Sequence, residues 1–495
     1  MDLINGGVRN RSSSYSGITG NINIAAFSIL IKLPFFYYAF IKSKSLFSKT
    51  YYSLIFIIIG YIEFFVLQTR GAMLGFILIL FGILFNLFFK KNRNKSHILL
   101  KSLFLVLTSL SILIISDFII GKTSDSAIVG RLQTIGSQTD GSSQERLRYW
   151  SESIDYIKSN PLLGVGIGNW KLWGIKAEGE NINNYIVPYH AHNDFLELAV
   201  ETGLFGMLLF FFPIFLIIII LFKELFINRT KEFSLFKFVG LLSFSIYLVD
   251  ASLNFPFARP IQQVFIIFLI AVYHEKYINF KISKFQFSKQ LGYLALILIL
   301  LQPLSLYSSV RLFNSSKDQF YFLGQFNANK FIMPIEEVEK MEMDYPNISG
   351  TTIPLKTFKA MFYLKNEEYQ KAIDLYHQAK RHNPFLKINE TYIGYAHFKL
   401  NNADSSRHYS KIAFETQPRN MVHYSHYQIA NSLFSDTTEI RNTYLKMKRF
   451  SGDELVDKIY LLAMNGLVDK DQTERILNDV GDKILYESKD DQLVA

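Results

Sequence analysis

The sequence predicts an all-α protein: a polytopic membrane helix bundle of about eight transmembrane helices, with a large extracytoplasmic loop and a C-terminal soluble α-helical repeat domain. Three observations predict it. Apolar runs long enough to cross a bilayer crowd the first 310 residues. Lys and Arg collect in every second connection between those runs. Beyond them, Pro384 and Pro418 stand 34 residues apart within helical periodicity. The expected division is therefore a membrane domain over 1–310, containing an outer loop at 121–202, and a helical-repeat domain over 311–495.

The apolar runs fall at 24–41, 51–68, 71–89, 99–120, 203–222, 236–254, 260–273 and 291–308. The second and third are separated only by Thr69-Arg70, which predicts a tight helical hairpin. A single continuous helix would leave Arg70 unpaired at mid-membrane. The seventh run is short and follows the break at Asn254-Phe255-Pro256.

Orientation follows from the basic connections. Those at 42–49, 90–101, 223–237 and 274–290 hold 3, 5, 4 and 4 Lys+Arg, and they alternate with connections that hold few. The basic side is cytoplasmic by the Lys/Arg bias of short loops. The other side receives the N-terminal stretch, the Arg70 turn, the 121–202 loop, the turn from Asn254 to Pro260, and everything after about 310. The first 20 residues are polar, with no basic start followed by an apolar core, so they do not read as a signal peptide. A polar start on the outer side predicts that the chain begins partway through a longer protein.

Composition narrows the function class. The chain has 495 residues, 49% hydrophobic and 19% charged, with a net charge of +10. Residues 311–495 carry 24 Lys+Arg against 25 Asp+Glu, whereas residues 1–310 carry 28 against 17. An ordinary soluble enzyme, a collagen-like chain and a disordered protein are excluded. With no cysteine, so are disulfides, thiolate zinc sites, iron–sulfur clusters and a cysteine nucleophile. The excess positive charge is an orientation signal, because the four cytoplasmic connections hold 16 Lys+Arg and only Glu224, Glu232 and Glu275. It is not a nucleic-acid patch, and no nucleic-acid partner is expected.

The 34-residue spacing is the tetratricopeptide period. One unit supplies Ala360, Tyr363, Ala372, Tyr376, Ala379 and Pro384; the next supplies Gly394, His397, Ser406, Ser410, Ala413 and Pro418. Small residues there let paired helices approach closely, and aromatics fill the space between them. Helical hairpins at about 316–345 and 421–485 would cap the array. An unrelated helical bundle fits the same residues less well. Either form suits docking of a protein or peptide better than catalysis.

The 82-residue outer loop is too long for a mere connection. It contains Arg131, then Gln144-Glu145-Arg146-Leu147-Arg148-Tyr149-Trp150 at the head of an amphipathic stretch reaching Lys158. Asn160-Pro161 and Gly164-Val165-Gly166-Ile167-Gly168 follow, and His190-Ala191-His192-Asn193-Asp194 opens a short helix through Glu201 and Gly203. The glycine run matches neither dinucleotide-binding nor P-loop spacing, so it reads as a tight turn. His190, His192 and Asp194 lack the spacing of a metal set, and no metal or other cofactor is expected. Arg70, Arg146 and His192 all fall on the outer side. Two guanidinium forks suit a pyrophosphate, and a histidine can take a proton from an attacking hydroxyl. The chemistry suggested is transfer of a group from a pyrophosphate-linked, membrane-held donor to an alcohol. A transporter or assembly scaffold would instead predict paired intramembrane charges and inverted repeats. Asp250 near the end of an apolar run needs a partner, and Arg259 is the expected one. Glu63 lies seven residues before Arg70, at a spacing a helix pair would strain to bridge.

Four strings then resemble the O-antigen ligase and polymerase superfamily. His192-Asn193-Asp194-Phe195-Leu196-Glu197-Leu198 with Glu201-Thr202-Gly203-Leu204-Phe205-Gly206 is similar to its signature. Gly17-Ile18-Thr19-Gly20-Asn21-Ile22-Asn23-Ile24-Ala25 resembles its G-x-x-x-N-x-N-x-x-A helix start. Thr69-Arg70-Gly71-Ala72 resembles its S-R-G-A turn. Glu145-Arg146, Trp150 and Pro161-Leu162-Leu163-Gly164-Val165-Gly166 resemble its R-x-x-x-W … P-x-x-G-x-G loop. The likeness covers about residues 9–275. It implies a bacterial inner-membrane glycosyltransferase, free of nucleotide and metal, that takes glycan from undecaprenyl pyrophosphate and passes it to a lipid A-core or protein acceptor in the periplasm. A repeat-unit polymerase is the alternative within the superfamily. The resemblance assigns the pyrophosphate to Arg70 and Arg146 and the acceptor-activating base to His192. Asn193 belongs to the same H-N pair, Glu201 is assigned an orienting role, and Arg148 competes with Arg146. The chain departs from the family in lacking about four upstream helices and in carrying the repeat tail, which only some members have.

Overall fold

The computed structural model describes residues 21–62, 69–89, 96–121, 141–227, 234–277, 287–328, 330–341 and 343–465. The polar start with Gly17–Gly20, Glu63, Arg131, the Arg70 side chain and the last part of the 421–485 hairpin lie outside the described residues. Among the described residues every regular element is helical, and the one extended pairing is an isolated bridge between Ile348 and Pro354. The chain divides into two compact units: Met1–Trp170 with His190–Lys281, and Lys171–Tyr189 with Ile282–Val494.

The first unit holds α1 (Ile22–Leu30), α2 (Leu33–Lys42), α3 (Leu46–Tyr61), α4 (Arg70–Phe89), α5 (Ser96–Gly121), α6 (Gly141–Ser159), α8 (Asp194–Phe222), α9 (Leu235–Leu253) and α10 (Pro260–Tyr277). A further helix, α7 (Trp170–Glu178), starts at its edge. Among the described residues four segments are long and apolar enough to cross a membrane: Ile22–Lys42, Asp194–Ile227, Leu235–Leu253 and Gly292–Asn327. Shorter apolar helices occur at Leu46–Gly60, Gly71–Phe85, Leu99–Ser111 and Pro260–Glu275. These eight correspond to the eight apolar runs, and the chain is a multi-pass helical membrane protein.

The helices start where the sequence supplies caps. The Asn21 carboxamide accepts from Asn23 N at 2.9 Å and from Ile24 N at 3.3 Å, which satisfies amides the first turn leaves open. Ser45, Asn193 and Ser234 do the same for α3, α8 and α9. Thr69, just before α4, is not helical, and α3 faces α4 through the Phe56 and Phe76 rings, 6.0 Å apart. The two runs are therefore separate helices packed side by side, while the end of the first, residues 63–68, lies outside the described residues.

In lipid the hydrophobic effect does not drive helices together, so close van der Waals fit must. α9 provides it at the centre, packing against α1, α2, α4, α8 and α10. Phe244, Ile246, Tyr247 and Ala251 are fully buried there. At Gly240 a Cβ would lie 2.4 Å from the Tyr273 hydroxyl, which instead donates to Phe236 O at 2.6 Å. The outward side of α8 exposes Phe205, Leu208, Phe212 and Ile219, which suits a lipid-facing surface.

The second unit begins with α11 (Phe287–Asn327), followed by α12 (Ile335–Glu339), α13 (Leu355–Lys365), α14 (Tyr369–Ala379), α15 (Ile388–Lys399), α16 (Ala403–Thr416), α17 (Met421–Ser432), α18 (Thr437–Lys448) and α19 (Glu454–Met464). From α13 onward each helix packs against the next. Ala360, Ala372, Ala379 and Ala413 are fully buried, and Gly394 lies so near α16 that a Cβ would meet Ser410 Oγ at 2.6 Å.

Candidate active site

The site lies in the first unit, around the start of α8. Asn193 caps this helix, its carboxamide accepting from Leu196 N at 3.1 Å. That cap requires an extended residue just before the helix, and His192 ahead of it adopts φ +53°, the left-handed region. A non-glycine residue there is uncommon and is held by its surroundings. Glu197, one turn into α8, does much of the holding. Its Oε1 pairs with His190 Nδ1 at 2.8 Å and its Oε2 accepts from Ala191 N at 2.8 Å. Trp150 of α6 donates from Nε1 to Ala191 O at 2.8 Å. His190 and Ala191, just before His192, are thus tied to two helices.

α6 also carries Arg146. Its Nη1 donates to Leu253 O at 3.2 Å, at the C-terminal end of α9, where unsatisfied carbonyls favour a cation. Arg70 opens α4 nearby: on its neighbour Gly71 a Cβ would stand 3.0 Å from Phe27 and 3.5 Å from Leu253. The backbone of the Arg70 turn and the Arg146 guanidinium therefore meet at the same residue, Leu253. Arg148 is placed differently, its Cζ 5.8 Å over the Tyr149 ring.

The glycine-rich loop is a backbone clasp. Gly203, at φ +73° and ψ 171°, breaks α8, so carbonyls just before it lose their helical partners. The loop replaces them: Val165 N donates to Val200 O and Gly166 N to Glu201 O, each at 2.9 Å, while Leu204 N donates to Pro161 O at 2.9 Å. A Cβ on Gly164 would stand 2.1 Å from the Glu201 carbonyl carbon, and one on Gly203 would stand 2.2 Å from Leu162 O. The Glu201 side chain completes the clasp by accepting from Trp170 N at 2.9 Å.

The turn after α9 supplies the remaining wall. His190 stacks on Phe255 with centroids 4.0 Å apart, His192 meets the same ring edge-on at 5.2 Å, and Arg259 Cζ lies 4.8 Å from it. Asp194 Oδ2 fixes the turn by accepting from Phe257 N at 2.8 Å. The expected pairing of Asp250 with Arg259 does not form. Asp250 accepts from Asn254 Nδ2 and Gln262 Nε2, both at 2.8 Å, because the turn folds back on its own carboxamides and carries Arg259 to Phe255. Among the described residues Arg259 Nε is buried without a hydrogen-bond partner, and burial lowers the Arg259 pKa.

His192 Nδ1 is also buried without a hydrogen-bond partner among the described residues. Burial first, then the charge of Arg146 and the neighbouring His190, hold its pKa down to about 3. The ring is therefore neutral at physiological pH and has a nitrogen free to receive a proton. Among the described residues no three His, Asp or Glu side chains gather as metal ligands would.

Residues 54–211 match the family model described as O-antigen ligase. This match supports a place in the O-antigen ligase superfamily for that segment. No curated protein matches it. The matched segment runs from α3 into α8 and contains Arg70, Arg146 and His192; Asp250, Phe255 and Arg259 lie beyond it. The match supports a membrane glycosyltransferase of the O-antigen ligase or polymerase type. Sequence reasoning did not single out Phe255 or the His190–Glu197 pair. The Asn-Phe-Pro break was the available signal for the first, and the i, i+7 spacing of His190 and Glu197 gave none for the second.

Proposed function

We propose that this chain transfers a glycan from undecaprenyl pyrophosphate to a hydroxyl acceptor, a lipid A-core sugar or a protein, on the periplasmic face of the bacterial inner membrane. The observation that carries this reading is the neutral, half-buried His192, its Nδ1 shielded from solvent, held in a strained conformation beside Arg146. His192 takes the acceptor hydroxyl proton, the freed oxygen forms a bond to the anomeric carbon, and the bond from that carbon to the phosphate oxygen breaks. Undecaprenyl pyrophosphate leaves with the electron pair. Arg70 and Arg146 hold its charge, and the proximity of the Arg70 turn to Leu253 supports their sharing one anion. Arg259 supplies a third cation at Phe255. Asn193, Glu197 and Glu201 fix the backbone that presents His192. No step draws on a metal or nucleotide.

The tail, by the same reading, is a tetratricopeptide-type array over 311–495, facing the periplasm. Its stacked helices and small residues at close contacts support it. Transfer is measured in cells lacking their own ligase, as glycan appearing on lipid A-core or on protein. His192→Ala and Arg146→Ala should each lower it by about 100-fold or more, the usual size of a lost general base or charge clamp. Full transfer by either variant overturns the reading. Free lipid-linked polymers of increasing length, with no acceptor modified, assign the polymerase chemistry instead.

A further inference from the structure

Residues 171–189 of the outer loop are built into the tail. Ile175, Ile182 and Val187 are 1%, 3% and 5% exposed and belong to the same apolar core as Phe358, Phe362 and Ile393. Tyr185 packs on this core and also on the one around Tyr424 and Tyr427, and its ring meets His423 at 5.5 Å. The grip is polar as well as apolar. Asn420 Nδ2 donates to Asn184 O at 2.7 Å, and Met421 N donates to Asn184 Oδ1 at 3.1 Å. Asn184 presents both oxygens because it lies at φ +52°, a conformation asparagine tolerates. Asn420 meanwhile caps α17, its Oδ1 accepting from Val422 N at 2.9 Å and His423 N at 3.2 Å. One side chain thus starts a tail helix and holds the loop.

The chain on either side of this strap is site backbone. Trp170, whose amide Glu201 holds, precedes it, and His190, Ala191 and His192 follow it. We infer that the tail grips the strap 171–189 as an internal ligand and thereby positions His192, with Tyr185 and Asn420 as positioning residues for the transfer reaction. The inference rests on the reading of His192 as the base. Misplacing a general base by a fraction of an ångström or more is costly even when every reacting group is present.

The test uses the full chain in membranes with the lipid-linked donor. Asn420→Asp is the key variant: it keeps an oxygen to cap α17 but sets a carboxylate oxygen against Asn184 O in place of the donated hydrogen. Tyr185→Ala removes the ring, and Tyr185→Phe retains it. Asn420→Asp and Tyr185→Ala should lower kcat about tenfold with donor KM unchanged. They should also speed tryptic cleavage at Lys176 within the strap, with the tail fragments beyond it unchanged, while Tyr185→Phe behaves as the parent. Should Asn420→Asp or Tyr185→Ala unfold the tail, Asn184→Ala, which alters no tail helix, is read by the same measurements. Cleavage at Lys176 accompanied by full transfer overturns the coupling, and undiminished protection in all these variants overturns the grip. Loss of the reading of His192 itself shows separately, as full transfer by His192→Ala.

Discussion

A base whose pKa is held down to about 3 has a pH signature different from that of an ordinary histidine near 6.5. Only neutral His192 can take a proton. In the free protein that form persists as pH falls through 6.5 and is lost only near 3, so kcat/KM for transfer should stay level from pH 8 to pH 5. Arg146 is one of the charges that lowers the pKa, so removing it raises the pKa and moves the acid limb upward. The residual transfer of Arg146→Ala should therefore begin to fall at a higher pH than that of the parent. Bound pyrophosphate acts in the same direction, since its negative charge offsets the arginine and strengthens the base once donor is present. Initial rates at subsaturating donor between pH 8 and 4 check this. A parental acid limb centred near 6.5 would show instead that His192 is not held at a depressed pKa in the free protein. The residue types were readable in the sequence because Arg146, His192 and Asn193 sit in a string with recognisable spacing. The partners were not. Asp250 and Arg259 have opposite charges nine residues apart, which suggested a pair, but the carboxamides of Asn254 and Gln262 reach Asp250 first. Pairing is decided by the path of a turn, and no periodicity encodes that path.

At the scale of elements, helix existence followed from apolar length, while the break inside α8 did not. The run beginning at 203 was legible as a span, and its merger with the helix from Asp194 depends on a glycine at φ +73°. That glycine faces a loop far away in sequence, so its significance appears only when Leu162 and Glu201 are brought together. Two penalties coincide at Gly203, a conformation reserved for glycine and a backbone 2.2 Å from any Cβ. At Gly164 only the steric one operates, at 2.1 Å, and at Gly168 only the conformational one, since nothing lies within 4 Å of a Cβ there. Gly203→Ala and Gly164→Ala should each destabilise the first unit by about 3 kcal/mol or more, because backbone must move. Gly168→Ala should cost about 1 kcal/mol. Thermal melting in detergent orders the three, and equal midpoints for Gly164→Ala and Gly168→Ala would refute the clasp. The strap was invisible to the sequence for a related reason. Residues 171–189 sit between loop motifs in the chain, yet their apolar side chains complete the core of a unit that begins about a hundred residues later.

For the whole molecule, the deciding quantity is where the charge lies. The connections at 42–49, 90–101, 223–237 and 274–290 hold 16 Lys+Arg against three Glu, whereas the tail over 311–495 is nearly neutral, at 24 against 25. A neutral domain carries no orientation preference of its own, so the side it occupies is set by the number of crossings before it and by the basic loops that anchor them. Among the described residues α11 holds the last candidate span, and its apolar surface from Tyr293 to Tyr307 is exposed within the second unit, as a lipid-facing span requires. If the eight apolar runs each cross once with the basic connections inside, as the charge pattern predicts, the tail falls on the outer side. The chain has no cysteine, so one introduced thiol reports one position. Asn92→Cys and Asn228→Cys should react with a membrane-impermeant maleimide only after the inner membrane is opened, whereas Asn366→Cys should react once the outer membrane alone is permeable. Labelling of Asn366→Cys and Asn228→Cys from the same side would remove a crossing between them and separate the tail from the face that holds the site.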